Sequence, residues 1–98
     1  MVMSDWYLYI VRCRDGTLYT GISTDVDRRL AEHRQGGNTG ARYLKGRAPL
    51  TLVMRQKLGN RRLAAKVENL VKKLSKADKE KMINVPRCFD ELVRQADE

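Results

Sequence analysis

Residues Trp6 to Cys13 read Trp-Tyr-Leu-Tyr-Ile-Val-Arg-Cys and have no continuous polar face. Aromatic and β-branched residues dominate, which predicts a strand. Alternation puts Tyr7, Tyr9, Val11 and Cys13 on one side and Trp6, Leu8 and Ile10 on the other. A strand that is apolar on both sides has to be covered on both, so this segment predicts a central strand with a layer above and a layer below.

Arg14-Asp15-Gly16 then turns the chain into a second short strand, Leu18 to Ser23. Two loops are open to the sequence. A two-residue Asp15-Gly16 loop pairs Arg12 with Tyr19 and sends Tyr9 and Tyr19 to opposite faces. A three-residue loop with Gly16 left-handed pairs Val11 with Tyr19 and Tyr9 with Gly21, so both tyrosines share a face.

Thr24 or Asp25 can cap a helix that runs to about Gln35 and stops at Gly36-Gly37. Gln35 to Pro49 is a long irregular stretch. Leu50 to Lys57 reads as a third strand. Asn60 opens a helix with a clean apolar stripe of Leu63, Ala64, Val67, Leu70, Val71 and Leu74. A shorter helix follows at about Asp78 to Asn84, Pro86 interrupts, and Phe89 to Ala96 is expected to add a last helical turn or two. With 98 residues the chain suits one α/β domain, 1–98, with its core at about 6–85.

Twenty Lys and Arg against twelve Asp and Glu give a formal net charge of +8, which favours polyanionic partners, nucleic acid first. No run of about 18 apolar residues is present, so no membrane span is expected. The first residues lack a basic region followed by an apolar stretch, so a secretory signal is not expected either. Cys13 and Cys88 read as reduced thiols of a cytoplasmic protein, and with His33 they do not form ligand pairs at zinc spacing.

Four groups of residues can carry chemistry. Tyr9 and Tyr19, with Gly21 opposite Tyr9, leave a shallow site where phenol hydroxyls position a water or pass a proton. The plainer reading is that both are core. Arg29 and His33 lie four apart on one helix face, where one grips a phosphate and the other exchanges a proton near neutral pH. The plainer reading is a solvated helix face. Glu68 sits at the edge of the apolar stripe, where a carboxylate can hold Mg²⁺. The plainer reading is an exposed pair with Lys72. Arg42, Tyr43, Lys45 and Arg47 interleave basic and aromatic residues among glycines in the long loop, which suits a nucleic-acid backbone with an unstacked base. The plainer reading is a mobile solvated loop.

Tyr7-Leu8-Tyr9 followed by Tyr19-Thr20-Gly21 resembles the paired motif of the GIY-YIG endonuclease superfamily. Asp25-Val26-Asp27-Arg28-Arg29-Leu30 with His33 resembles its arginine helix, and Ala65 to Lys73 its glutamate helix. The likeness runs from about Trp6 to Leu74 and is greatest to the small stand-alone YhbQ-like proteins, which share a Gly-Ala-Arg-Tyr type loop. It implies a three-stranded antiparallel sheet flanked by helices and metal-dependent hydrolysis of phosphodiesters. Tyr9 and Tyr19 would be the motif tyrosines, Arg29 the phosphate-binding arginine, Glu68 the ligand of Mg²⁺ (or Mn²⁺), and His33 a histidine found in some branches. Tyr7, Leu8 and Thr20 depart mildly from the motif. Ile22 stands where the excision-repair nuclease domain has a lysine. Asn84 is the candidate for an asparagine near the family's C-terminus. The base is open between Tyr9, Tyr19 and His33.

The expectation is therefore an endonuclease acting on DNA, with RNA also open, in which Tyr9 and Tyr19 share a sheet face near Arg29. The alternatives are a nucleic-acid-binding module of the same fold with little or no cleavage, and a protein-interaction domain whose basic surface is incidental.

Overall fold

The hairpin closes on the three-residue loop. In the computed structural model, which describes residues 5–35, 44 and 46–98, β1 (Trp6–Arg12) pairs antiparallel with β2 (Leu18–Ser23). Val11 faces Tyr19 and Tyr9 faces Gly21. Gly16 takes φ 87°, the left-handed position this loop requires. Cys13 N donates to Thr17 O at 2.9 Å and Gly16 N to Cys13 O at 2.9 Å, while Asp15 Oδ1 accepts from Thr17 N at 3.1 Å. The two tyrosines consequently share a face.

The third strand, β3 (Thr51–Gly59), pairs antiparallel with the other side of β1, giving the order β2-β1-β3. It runs two residues beyond the expected end at Lys57. Its limit is Gly59 at φ 95°, which turns the chain into Asn60. At the other end Leu50 precedes the strand and is buried beneath it.

Among the described residues, four helices follow the chain's own punctuation. α1 (Val26–Gln35) is capped by Asp25, whose Oδ1 accepts from Arg28 N at 3.1 Å. α2 (Arg61–Lys72) is capped by Asn60, whose Oδ1 accepts from Leu63 N at 2.8 Å. α3 (Lys76–Asn84) is capped by Ser75, whose Oγ accepts from Asp78 N at 3.1 Å. α4 (Pro86–Asp97) is a full 12-residue helix rather than a turn or two. Pro86 does not interrupt here. It occupies the first turn, where a missing N–H costs nothing and its fixed φ suits the helix.

The covered central strand divides the core in two. Leu8 and Ile10 pack with Val67 and Val71 of α2, Met82 of α3, and Phe89 and Ala96 of α4. Tyr9, Val11 and Cys13 pack with Val26 and Leu30 of α1, Leu44 and Leu50. Phe89 and Ala96 are buried, so the core continues past the expected limit at residue 85. No helix among the described residues is long and apolar enough to cross a membrane.

Candidate active site

Tyr9 is the hub. It lies on β1 between Gly21 of β2 and Arg55 of β3, and only 1% of it is exposed. Its ring lies across β2 above Gly21. A Cβ at residue 21 would fall 2.5 Å from the Tyr9 hydroxyl and 2.6 Å from Cζ, so only glycine lets the ring take this path. The shallow space expected over Gly21 is thus occupied by the tyrosine itself and is not open to a ligand.

The ring delivers its hydroxyl to the last turn of α1. Tyr9 Oη lies 3.0 Å from His33 Nε2, and this hydrogen bond is buried. His33 is itself 4% exposed, so it is not part of a solvated helix face. Tyr19, on the same sheet face, meets the His33 ring edge-on with centroids 5.7 Å apart and planes at 75°. An edge-to-face contact of this kind fixes the tilt of the imidazole.

Arg29, one turn before His33, is within hydrogen-bonding range of the Tyr9 hydroxyl. It also pairs with Glu32 at 3.5 Å, and its side chain is 36% exposed. It therefore reaches from the buried pair towards solvent. Glu68 comes from α2. The expected pair with Lys72 forms, at 3.3 Å, but Glu68 is the half-buried partner, 19% exposed against 52% for Lys72. Its negative charge is felt at Tyr9. Tyr9, Tyr19, Arg29, His33 and Glu68 thus converge from two strands and two helices.

The fields within the cluster set the protonation states. Burial pushes the Tyr9 phenol up to about 12, helped by Tyr19 and Glu68 and opposed by Arg29. Burial, and then Arg29, hold His33 below the ordinary imidazole value, against Glu32. At neutral pH the pair is therefore a neutral phenol beside a neutral imidazole. With the ring proton on Nδ1, Tyr9 Oη–H donates to His33 Nε2. The arrangement can move a proton from the sheet face to α1 without creating a phenolate that lasts.

A single carboxylate at the rim of such a cluster fits Mg²⁺, which takes one or two carboxylates and otherwise water and phosphate oxygens. No three His, Cys, Asp or Glu side chains cluster as an all-protein cage among the described residues. Glu68 would supply the protein's share.

Of the loop candidates, Arg47 sits away from this cluster. Arg47 Nη1 donates to Asp15 Oδ2 at 2.7 Å and Arg14 N donates to Arg47 O at 3.0 Å, so Arg47 ties the end of the long loop to the hairpin turn. Arg42, Tyr43 and Lys45 lie outside the described residues. Asn84 is exposed at the end of α3. Glu32, which pairs with both Arg28 and Arg29, was not singled out from the sequence, although its three- and four-residue spacing to them signals it.

This convergence on an antiparallel hairpin defines the class. The description "GIY-YIG catalytic domain" matches residues 5–82, and the chain belongs to that family. Within it, the chain is 50% identical over 93 residues to a UPF0213 protein of Yersinia pestis, covering 92% of this chain and 96% of that one. It is 44% identical over 91 residues to the UPF0213 protein YhbQ of Escherichia coli, covering 93% and 89%. Among solved structures it resembles the UPF0213 protein BH0048 of Bacillus halodurans, with TM-score 0.55 and 41% identity over 83% of this chain and 84% of that one. It also resembles EF2693 of E. faecalis, with TM-score 0.57 and 32% identity over 82% and 84%. The family supports a nuclease-type function, and hence a nucleic-acid substrate in general.

Proposed function

We propose that the chain is a metal-dependent endonuclease that hydrolyses phosphodiester bonds in DNA. The buried hydrogen bond between Tyr9 Oη and His33 Nε2 carries this reading, because it supplies a proton path within reach of a cation and a carboxylate.

Arg29 is the group that clamps the phosphate. Its side chain is partly exposed, and a guanidinium matches two phosphate oxygens at once. A water in line with the leaving oxygen attacks phosphorus. As the new P–O bond forms and the bond to the leaving oxygen breaks, the water proton passes to Tyr9 Oη while Tyr9 passes its own to His33 Nε2. Tyr9 is poorly suited to act as a standing phenolate base, since its pKa of about 12 keeps it protonated. Tyr19 holds the imidazole that receives the proton. Mg²⁺ or Mn²⁺ held on Glu68 would supply neutralisation of the negative charge that builds on the phosphoryl and leaving oxygens.

The test is one incubation series. Labelled single-stranded, duplex and branched DNA are treated with Mg²⁺, Mn²⁺ or EDTA, using wild type and Glu68→Gln, which keeps the shape of the side chain and removes its charge. Cleavage is expected with either metal and not with EDTA. Glu68→Gln is expected to cut at least ~100-fold more slowly while binding DNA as well as before or better. Wild-type cutting by Glu68→Gln, or cutting in EDTA, would overturn the metal assignment. Salt-sensitive binding without any cutting would leave a binding module.

A further inference from the structure

The positive charge of the chain is not spread evenly. Arg61 to Lys73 carries five Lys and Arg against a single carboxylate, Glu68, whereas Pro86 to Glu98 carries two against four. Three of the cations of α2 and its C-cap fall into line. Arg62, Lys66, Asn69 and Lys73 are spaced by four, three and four residues, so they share one edge of the helix within roughly 60° of arc. All four are exposed. Among the described residues, none of the three cations forms an ion pair. Asp97 and Glu98 line the same groove as Arg62 and Lys66 without pairing with them. Lys72, by contrast, is paired with Glu68.

Position matters as much as charge. The core face of α2 is Ala64, Val67 and Val71, and Glu68 lies at its margin. Passing around the helix from Glu68, Arg61, Lys72 and Ala65 come before the Arg62–Lys73 edge, which stands on the side of α2 away from its core face.

We infer that Arg62, Lys66 and Lys73 form a rail that grips the phosphate backbone of the nucleic acid flanking the scissile bond. The rail extends about 16 Å along α2, the length of about five base pairs at 3.4 Å each. Asn69 between the cations adds hydrogen bonding to phosphate oxygens. No apolar side chain stands in the stripe, so there is nothing to insert into a lipid layer, and exposed cations without ion-pair partners suit a polyanion. The inference rests on the nuclease reading for its choice of partner, but its test does not require cleavage.

Binding is measured in EDTA by fluorescence anisotropy of a labelled 20-mer, as a duplex and as a single strand, over a salt series. Two variants carrying equal charge loss are compared: Arg62→Gln/Lys66→Gln/Lys73→Gln, and Lys81→Gln/Arg87→Gln/Arg94→Gln on exposed sites of α3 and α4. The rail variant is expected to lower the slope of log affinity against log salt by about two to three on duplex, at ~0.9 per contact, or about two on the single strand, at ~0.7. Its affinity at ~0.1 M salt is expected to fall at least ~10-fold. The control variant should lose far less. The arm in which the rail slope changes identifies the form of backbone it grips. Equal losses in both variants would mean that overall charge alone is sensed. No loss in the rail variant, or binding of the wild type to phosphatidylserine-rich vesicles but not to either 20-mer, would equally overturn the rail. Rail-dependent binding by a protein that never cuts would leave the rail standing and remove the nuclease.

Discussion

One hydrogen atom at residue 21 decides where the Tyr9 hydroxyl goes. Because a Cβ there would stand 2.5 Å from that oxygen, and because the ring is buried on its other sides, Gly21→Ala has no cheap relaxation. The ring must swing away from His33 and break the 3.0 Å hydrogen bond. Overpacking of this kind costs about 1–3 kcal/mol, which a folded domain can survive. Loss of a positioned proton acceptor costs ~10²–10⁴ in rate. Gly21→Ala should therefore give a protein that still unfolds cooperatively, with a modestly lowered midpoint, and cuts at least ~100-fold more slowly. A Tyr9→Phe/Gly21→Ala double variant should recover little of the stability, because Cζ still stands 2.6 Å from the added Cβ, and none of the activity. Thermal unfolding and cleavage rates on the same preparations separate the two effects, and wild-type cutting by Gly21→Ala would remove the Tyr9–His33 path.

The elements that sequence periodicity governs were the ones it made legible. β1 is apolar at both periods of two, so its central place was readable, and α2 announced itself by its stripe and its Asn60 cap. The facing of Tyr9 and Tyr19 needed only the turn length, which Gly16 settles by taking φ 87°. What was not legible depended on partners distant in sequence. Arg12 donates two hydrogen bonds to Glu80, at 2.5 and 2.6 Å, across 68 positions, tying β1 to α3. The burial of His33 depends on Tyr9 and Tyr19 arriving above α1, and that of Glu68 on how α2 docks against the sheet. The full length of α4 is not legible because Pro86 reads equally as a stop or as a first turn, and only packing decides. The packing is decisive: Phe89 is 3% exposed within the same core as Leu8 and Val67. Phe89→Ala should cost about 3–5 kcal/mol, as for other core aromatics, measured by urea unfolding. A cost below about 1 kcal/mol would mean that α4 is an appendage and that the core does end near residue 85.

At the scale of the whole molecule, the shifted groups predict a stability profile with two limbs. Glu80 is held down at about 2 by its hydrogen bonds to Arg12, so it contributes stability above the ordinary carboxylate range that is lost as pH falls towards 2. Asp15, lowered by the Thr17 hydroxyl and N–H, acts in the same direction. His33 is also lowered. The unfolded chain binds its proton first, so stability falls as pH drops through the ordinary imidazole value of 6.5. Tyr9 has the opposite sign. Its value is raised from 10.0 to about 12, so the unfolded chain ionises first and stability is lost as pH rises through that interval. Unfolding free energy against pH should therefore be flat from about 7 to 10 and fall on both sides. Tyr9→Phe should abolish most of the fall between 10 and 12 while leaving the acid limb in place. The same two groups should bound the activity. Cleavage needs neutral His33 to receive the proton, so its acid limb should lie below 6.5, and Tyr9 stays a phenol to well above 10, so no alkaline limb from it should appear before the protein itself loosens. A cleavage profile that drops already between 8 and 10 would point to a different acid in the site, and an alkaline stability limb that survives Tyr9→Phe would show that the buried phenol is not what the fold protects.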